Sequence, residues 1–232
     1  MLIKTNLKNS ADYVRDGLIY NWKRWIFLII GAIIFPILSG YSVKVMKGED
    51  SVPPIGNIWN LFVDGIKLLL ISIAYFIIPF IILIFTCLLS VIMAFPADNV
   101  VDMSVYDNNP HGLIMLFPWL IASAALFLVL CFIITLYSTI GIIKFSRTGK
   151  MSNAFDISDI HARIGRIGWG RYIIALLALW VVIGIIEGIL FLISLPDIFW
   201  LAMLNIIISL IIAPIITIFC SRYYSLLYDA GD

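Results

Sequence analysis

Five long apolar runs constrain this chain more than any other feature of its sequence. Each reaches the length of about 20 residues that an α-helix needs to cross roughly 30 Å of hydrocarbon. They are rich in Ile, Leu, Val and Phe and do not alternate apolar with polar residues, which favours helices over a β-barrel. The runs are residues 25–45, 67–95, 113–143, 172–194 and 198–220.

The composition excludes a water-soluble fold. The chain has 232 residues, of which 62% are hydrophobic and 12% charged, with a mean hydropathy of +1.08. A soluble domain is about half apolar and about a quarter charged, and it cannot bury this much apolar surface. We therefore predict an all-α integral membrane bundle with about five transmembrane helices (four to six) plus amphipathic interfacial helices, forming a single domain over residues 1–232. The net charge of +1 gives no support to nucleic-acid binding.

The charges between the runs predict an orientation in the plasma membrane. Residues 144–171 carry six Lys and Arg against two Asp, whereas 96–112 carries three Asp and neither Lys nor Arg. Lys and Arg favour the cytoplasmic side. The interval 144–171 is therefore predicted inside and 96–112 outside. The short turn at 195–200 follows as external and the C-terminus as cytoplasmic.

Strict alternation of five spans conflicts with the charge of the N-terminus. It would place the basic N-terminal segment outside, against the rule that orients the rest. Three explanations stay open: the first run re-enters at Pro36, one long run is two short helices, or the N-terminus violates the rule. We favour a cytoplasmic N-terminus.

Three amphipathic segments are predicted to lie at the membrane surface. The first is the N-terminal helix 1–25, whose apolar stripe is Val14, Leu18, Trp22 and Trp25. The second covers 55–66 and the third 157–167, where isoleucines recur at helical spacing.

Basic residues around the third segment are candidates for contacts with anionic lipid headgroups. Asp159 and Arg163 have the favourable i,i+4 order for an ion pair, and Ser152 or Asn153 can cap the helix. The candidate headgroup contacts are Arg163, Arg166, Arg171, Lys144 and Arg147.

The order of segments suggests an internal duplication. A span, a glycine-framed basic linker, a surface helix and another span occur twice, at an offset of about 100 residues. The first half-repeat covers 26–95, the second covers 113–195, and 198–220 is a final helix. Parallel repeats are common in transport folds but do not prove transport. The marking glycines are Gly40, Gly48 and Gly65 in the first copy and Gly141, Gly149 and Gly168 in the second.

These same segments resemble a known family. The stretches GYSVKVMKG, PPIGNIWNLFVDGIK and AFDISDIHARIGRIGWGRYIIALL are similar to the prokaryotic, often archaeal, membrane family called domain of unknown function 4013. The resemblance extends from about Tyr13 to Tyr228. It implies a polytopic bundle and brings no activity, cofactor or catalytic residue with it.

One acidic residue lies well inside an apolar run. Glu187 in the fourth run has Asn205 of the fifth at about the same depth, counted from the turn near Pro196. A lone carboxylate in hydrocarbon is costly and indicates a buried partner or a functional group. We predict that Glu187 and Asn205 form a hydrogen-bonded buried polar pair. The pair either locks the hairpin of the last two runs, which we favour, or handles a proton or substrate.

No catalytic residue, metal ligand or cofactor site is predicted. The three cysteines lie in separate apolar runs, and His111 and His161 are predicted on opposite sides of the membrane. The expected function is a non-enzymatic, membrane-organising or partner-binding protein, and the alternative is a small-solute permease or transport accessory subunit. The expected partners are the bilayer, anionic headgroups, and a second copy or another membrane protein.

Overall fold

Eight α-helices account for most of the chain in the computed structural model, which describes residues 2–94, 110–194 and 199–232. A π-helical turn, Arg15–Ile19, follows α1, and a 3₁₀-helix, Met151–Phe155, precedes α6. No β-strand occurs in the described ranges, which confirms the predicted all-α fold. In chain order the helices are α1 Leu2–Val14, α2 Trp22–Ile33, α3 Phe35–Val45, α4 Ile58–Ala94, α5 Pro110–Thr148, α6 Ile157–Ile167, α7 Trp169–Ser194 and α8 Phe199–Asp229.

Four helices in the described ranges are long and apolar enough to cross a bilayer. They contain the last four apolar runs, and their number is the lower limit of the predicted four to six. The chain is therefore a multi-pass membrane protein. The predicted external interval 96–112 and turn 195–200 lie outside the described residues, apart from the first residues of α5 and α8. The four candidate spans are Ile58–Met93, Leu116–Thr148, Trp169–Ser194 and Phe199–Asp229.

The first apolar run is not a fifth span. It divides into α2 and α3 at Ile34, whose backbone leaves the helical region. Pro36 lies in the first turn of α3, where its missing N–H costs no helical hydrogen bond. At about 1.5 Å per residue, helices of 12 and 11 residues are each shorter than about 20 Å, well below the hydrocarbon thickness. The break at Ile34 is two residues before Pro36, the position at which one of the open explanations has the run re-enter, and re-entry itself stays a prediction.

Two of the three predicted surface helices are corrected. The segment 55–66 is no separate helix, because α4 begins at Ile58 and continues through it. On α1 and the turn that follows it, Val14 and Leu18 are buried in the core rather than available to lipid. The third helix exists as α6, but its isoleucine stripe is also mostly buried, and only Ile157 is exposed. An apolar helix face is removed from water equally when it packs against other helices and when it lies in lipid.

The chain divides into two compact units. Unit one comprises residues 1–71 and 137–232, and unit two comprises residues 72–136. Unit one has an apolar core built by α1, α2, α3, α4 and α8. Unit two pairs the remaining parts of α4 and α5, with Phe80 against Phe127 at a centroid distance of 5.4 Å. The buried residues at the centre of the unit-one core include Tyr13, Leu28, Tyr41, Leu61 and Ile218.

Two glycines allow α3 to pack against the start of α4 with their backbones in contact. A Cβ atom at Gly40 would overlap the carbonyl oxygen of Leu61, and one at Gly65 would overlap that of Pro36. Only a residue without a side chain fits at either position. This contact fixes the broken first run against the first span.

The proposed duplication is reproduced only in part. Gly48 and Gly149 both follow a helix end with positive φ, at 92° and 71°, as is typical of glycine after a helix C-terminus. The next elements differ, because an extended segment leads into α4 whereas the separate helix α6 precedes α7. Gly65 and Gly168 also differ, since Gly65 is inside α4 and Gly168 has a φ of 92° between two helices.

Candidate functional site: a basic hub at the helix ends

A cluster of basic side chains, here called the hub, lies in unit one where helices end and begin. Its members are Lys144, Arg147, Arg163, Arg166 and Arg222. Each is held by an acidic side chain or a backbone carbonyl from a distant part of the chain. The hub therefore joins segments that the apolar core alone does not fix.

Lys144 connects the end of α5 to the start of α6. Its ammonium lies 3.0 Å from Oδ2 of Asp156 and 2.6 Å from Oδ2 of Asp159. Asp156 also caps α6, because Oδ1 accepts from the backbone N–H of Asp159 at 3.2 Å. The predicted cap at Ser152 or Asn153 is thus replaced by Asp156. The hydrogen bond from Lys144 lowers the pKa of the Asp156 carboxyl below its ordinary value, and the bond from the Asp159 backbone adds to this effect.

Arg147 and Arg163 hold the C-terminal end of the chain. Nη2 of Arg147 lies 2.6 Å from Oδ1 of Asp229, and Nη1 of Arg163 is ion-paired with Asp232. The two guanidinium groups also lie over the ring of Tyr228, at 5.0 and 4.0 Å from its centroid. Arg163 therefore does not form the predicted i,i+4 pair, since Asp159 is taken by Lys144. The bond to Arg163 lowers the pKa of the Asp232 carboxyl.

Arg222 on α8 holds the segment between α3 and α4. Its Nη1 donates to the carbonyl of Glu49 at 2.8 Å, and its Nη2 lies 3.3 Å from Oδ1 of Asp50. The guanidinium lies 4.8 Å from the ring centroid of Tyr13, whose hydroxyl donates to the Ser51 carbonyl at 3.2 Å. Burial raises the pKa of Tyr13 to about 12. One buried arginine thus joins α1, α8 and the linker.

The role of Arg222 was not identified from the sequence. The only signal was its position, as the single Lys or Arg after residue 171. Its partner Glu49 is 173 residues away along the chain, and no local pattern connects the two.

The five predicted headgroup contacts occupy different environments. Lys144, Arg147 and Arg163 are in the ion pairs described above, and Nε of Arg166 donates to the carbonyl of Gly231 at 3.0 Å. Arg171 is exposed and has no hydrogen bond or ion pair to any residue in the described ranges. Headgroup binding by these residues stays a prediction. Within the described residues, Arg166 has a backbone carbonyl but no ion pair, and Arg171 has neither.

Glu187 and Asn205 are not joined by a hydrogen bond in the part of the chain that the structure describes. The amide of Asn205 donates to the carbonyl of Leu190, and its oxygen accepts from Ser209 at 3.0 Å. Leu190 lies one turn beyond Glu187 on α7. Glu187 is exposed on α7 and has no ion pair there. Near Glu187, the polar contact between α7 and α8 is therefore made by the amide of Asn205, and a second one is made where the Tyr223 hydroxyl donates to the Ala175 carbonyl at 2.9 Å.

Histidine and cysteine chemistry finds no support in the described ranges. No group of three His, Cys, Asp or Glu side chains there could hold a metal ion. Nδ1 of His161 lies 3.1 Å from the hydroxyl of Tyr137, beside the ring of Trp169, so the imidazole connects α6 to α5 and α7. The side chain of His111 is outside the part of the chain that the structure describes. The three cysteines are free thiols.

Comparison with known proteins identifies a family. The sequence model of the family described as "Protein of unknown function (DUF4013)" matches residues 25–195, which is more than half of the chain. This range starts at the apolar run that forms α2 and α3 and ends after α7. No curated protein and no solved structure matches the chain.

Proposed function

Because this chain belongs to the DUF4013 family of proteins of unknown function, its role has to be argued from its own geometry, and we propose that it is a non-enzymatic integral membrane protein that organises lipid at one leaflet. The observation that carries the proposal is the α2–α3 pair next to the hub. Its two helices are too short to span the bilayer, and they meet at an apolar junction. A pair of this kind enters one leaflet and returns to the same side.

The surface of the α2–α3 pair fits insertion into a leaflet. At the junction, Ile33, Ile34 and Phe35 are all exposed, with Ile33 at 68% of its full accessibility. At the other end of α2, the exposed Trp22 is next to Lys23, whose ammonium lies 5.9 Å from the indole. Aromatic and basic residues prefer the headgroup region, whereas isoleucine and phenylalanine prefer the acyl chains. The pair therefore has the polarity of a one-leaflet wedge.

The charge distribution supports a cytoplasmic hub. All fifteen Lys and Arg residues of the chain lie in 1–67, 144–171 or 222–232. With four spans rather than five, these three segments fall on the same side of the membrane, and the conflict at the N-terminus disappears. The positive-inside rule then assigns that side to the cytoplasm of the cell.

A labelling experiment tests this orientation. A single cysteine at Ser152, in a variant without the three native cysteines, should react with a membrane-impermeant maleimide only after intact cells are opened. Labelling from outside intact cells would reverse the proposed orientation.

Lipid analysis of the purified protein tests the function. We expect protein extracted gently from its native membrane to retain phospholipid enriched in anionic headgroups relative to that membrane. A variant with Ile33→Ser and Phe35→Ser should retain less lipid per protein, because its wedge no longer favours the acyl chains. A retained lipid composition equal to that of the bulk membrane, in both proteins, would contradict the proposal.

The permease alternative depends on Glu187. An unpaired carboxylate within a span is the one feature that favours it, since such groups commonly handle protons or ions. Solute uptake that is lost in a folded Glu187→Gln variant would establish transport over lipid organisation. Unchanged uptake would leave Glu187 without a transport role.

A further inference from the structure

The last residues of the described chain occupy a site built by three arginines. We call Tyr228–Asp232 the latch and Arg147, Arg163 and Arg166 the arginine triad. The triad comes from α5 and α6, and all three members contact the latch.

The latch is fitted closely to the triad. Gly231 is buried, and a Cβ atom there would lie 2.8 Å from Cγ1 of Ile167 and 3.0 Å from Cδ of Arg163. Its carbonyl accepts from Nε of Arg166 at 3.0 Å. The guanidinium groups of Arg147 and Arg163 both lie over the ring of Tyr228. The backbone of the latch is thus held in a turn against α6.

The carboxylates of the latch are the exposed part of this assembly. Side-chain exposure is 38% for Asp229 and 63% for Asp232, against 26% for Arg147 and 12% for Arg163. Ion pairs with exposed carboxylates are weak, because water and salt compete for them. The arginine side chains are therefore held by the protein around them, whereas the Asp229 and Asp232 carboxylates paired with them can be displaced.

The donors that the latch occupies suit a phosphate group. Guanidinium groups bind phosphate oxygens through paired N–H donors, and a phosphate offers several acceptors on one centre where the latch offers two separate carboxylates. The side chains of the triad carry three positive charges, and those of the latch carry two negative charges. Arg147 lies at the end of the candidate span Leu116–Thr148, and the end of a span is where lipid headgroups are expected.

We infer that the arginine triad is a binding site for a phosphate-bearing anionic headgroup, and that the latch competes for it within the chain. This rests on the proposed lipid-organising function and adds its regulation. A headgroup that enters the site replaces Asp229 and Asp232 and releases the latch. The fraction of protein with a released latch therefore rises with the content of anionic lipid in the leaflet.

Lipid titration of full-length protein tests the inference. Protein in phosphatidylcholine nanodiscs is prepared with increasing phosphatidylglycerol, and headgroup binding is read by native mass spectrometry. A variant with Asp229→Asn and Asp232→Asn should bind phosphatidylglycerol about three- to tenfold more tightly than the wild type, because the competing charges are gone. Arg147→Gln with Arg163→Gln should weaken binding by a similar factor, and the matched surface variant Arg15→Gln should change nothing.

Hydrogen exchange of the latch supplies a second readout. Exchange at 229–232 should rise in the wild type as phosphatidylglycerol replaces phosphatidylcholine. The same rise on adding inorganic phosphate to phosphatidylcholine nanodiscs would identify free phosphate rather than lipid as the ligand. If the Asp229→Asn, Asp232→Asn variant binds phosphatidylglycerol no more tightly than the wild type and exchange is unchanged, the latch is not a competitor.

The two proposals fail in different ways. Preferential retention of anionic lipid that ignores both the triad and the latch variants would overturn the latch and leave the lipid-organising function standing. Absence of any preference for anionic lipid, in wild type and variants alike, would remove both.

Discussion

The two units of this protein differ in the contacts that hold their helices together. Unit one contains every Lys and Arg of the chain. It joins distant segments through the buried Arg222, tyrosine hydroxyls and backbone contacts at glycine. Unit two has no Asp, Glu, Lys or Arg among its described residues, and a Ser90–Ser123 hydrogen bond of 3.4 Å is one of its few polar contacts. Where lipid is the solvent, apolar burial between helices contributes little, so association relies on packing and scattered polar contacts. Specific geometry is therefore concentrated in unit one.

The largest effect is expected at the α3–α4 contact of unit one. Gly40→Ala should lower the free energy of unfolding by about 3 kcal/mol, because the new methyl group overlaps the Leu61 carbonyl and the helices must separate. Thermal unfolding in detergent, followed by size-exclusion chromatography, measures the loss. Gly184→Ala is the control, since a Cβ there has nothing within 4 Å. Equal stability of the two variants would show that the close α3–α4 contact is not present.

A smaller loss is expected at the buried arginine that closes the hub. Arg222→Met should cost about 2 kcal/mol, because it removes charge-assisted bonds to the Glu49 carbonyl and to Asp50 while it keeps most of the apolar volume. Arg15→Met is the matched control. Its ion pairs with Asp12 and Asp16 are exposed and should contribute less than about 1 kcal/mol. The same unfolding assay compares them, and a control as damaging as Arg222→Met would refute the ranking.

Acid should destabilise unit one through its carboxylates. The folded state lowers the pKa of Asp156 and of Asp232, so each stabilises the fold above its ordinary pKa of 3.8 and loses this contribution as the pH falls through the lower folded-state value. The unfolding temperature should therefore decline below pH 3.8. A variant with Asp156→Asn and Asp232→Asn should start lower and decline less steeply. An identical pH profile for both proteins would show that these ion pairs contribute nothing.

The smallest effect is expected in unit two. Ser90→Ala should cost about 0.6 kcal/mol, since it removes one hydrogen bond between helices and leaves Ser123 bonded to the Trp119 carbonyl. Urea or heat unfolding in the same detergent gives the value. A cost as large as that of Gly40→Ala would mean that unit two is held by specific polar contacts after all, and the contrast between the units would fail.

The helical membrane fold could be predicted because its signals are local. Four apolar runs became four candidate spans, and the isoleucine spacing at 157–167 became α6. The fate of the first run was left open, because 21 apolar residues satisfy the length of a span whether or not a break at Ile34 divides them. Hydropathy counts residues and does not record where the backbone turns.

The partners in the candidate site could not be predicted, because they depend on contacts between remote segments. Asp159 stands in the favourable i,i+4 order with Arg163, yet it pairs with Lys144, since α6 packs with its acidic start against the end of α5. Asn205 likewise bonds the Leu190 carbonyl rather than the carboxylate one turn earlier. In both cases the sequence pattern predicted one bonding partner, and the packing of the helices placed a different partner within reach.

The sequence by itself determined that this protein is a membrane protein, which helices are long and apolar enough to span a bilayer, and in which segments the positive charges collect. Hydrophobic length and charge distribution act segment by segment, so these properties need no knowledge of neighbours. Only the tertiary structure decided that the first run divides at Ile34, that Arg222 bonds the Glu49 carbonyl and that Tyr228–Asp232 contacts three arginines. Those outcomes depend on which surfaces meet in space, and apolar helices in lipid have many alternative ways to meet until glycines and ion pairs select one.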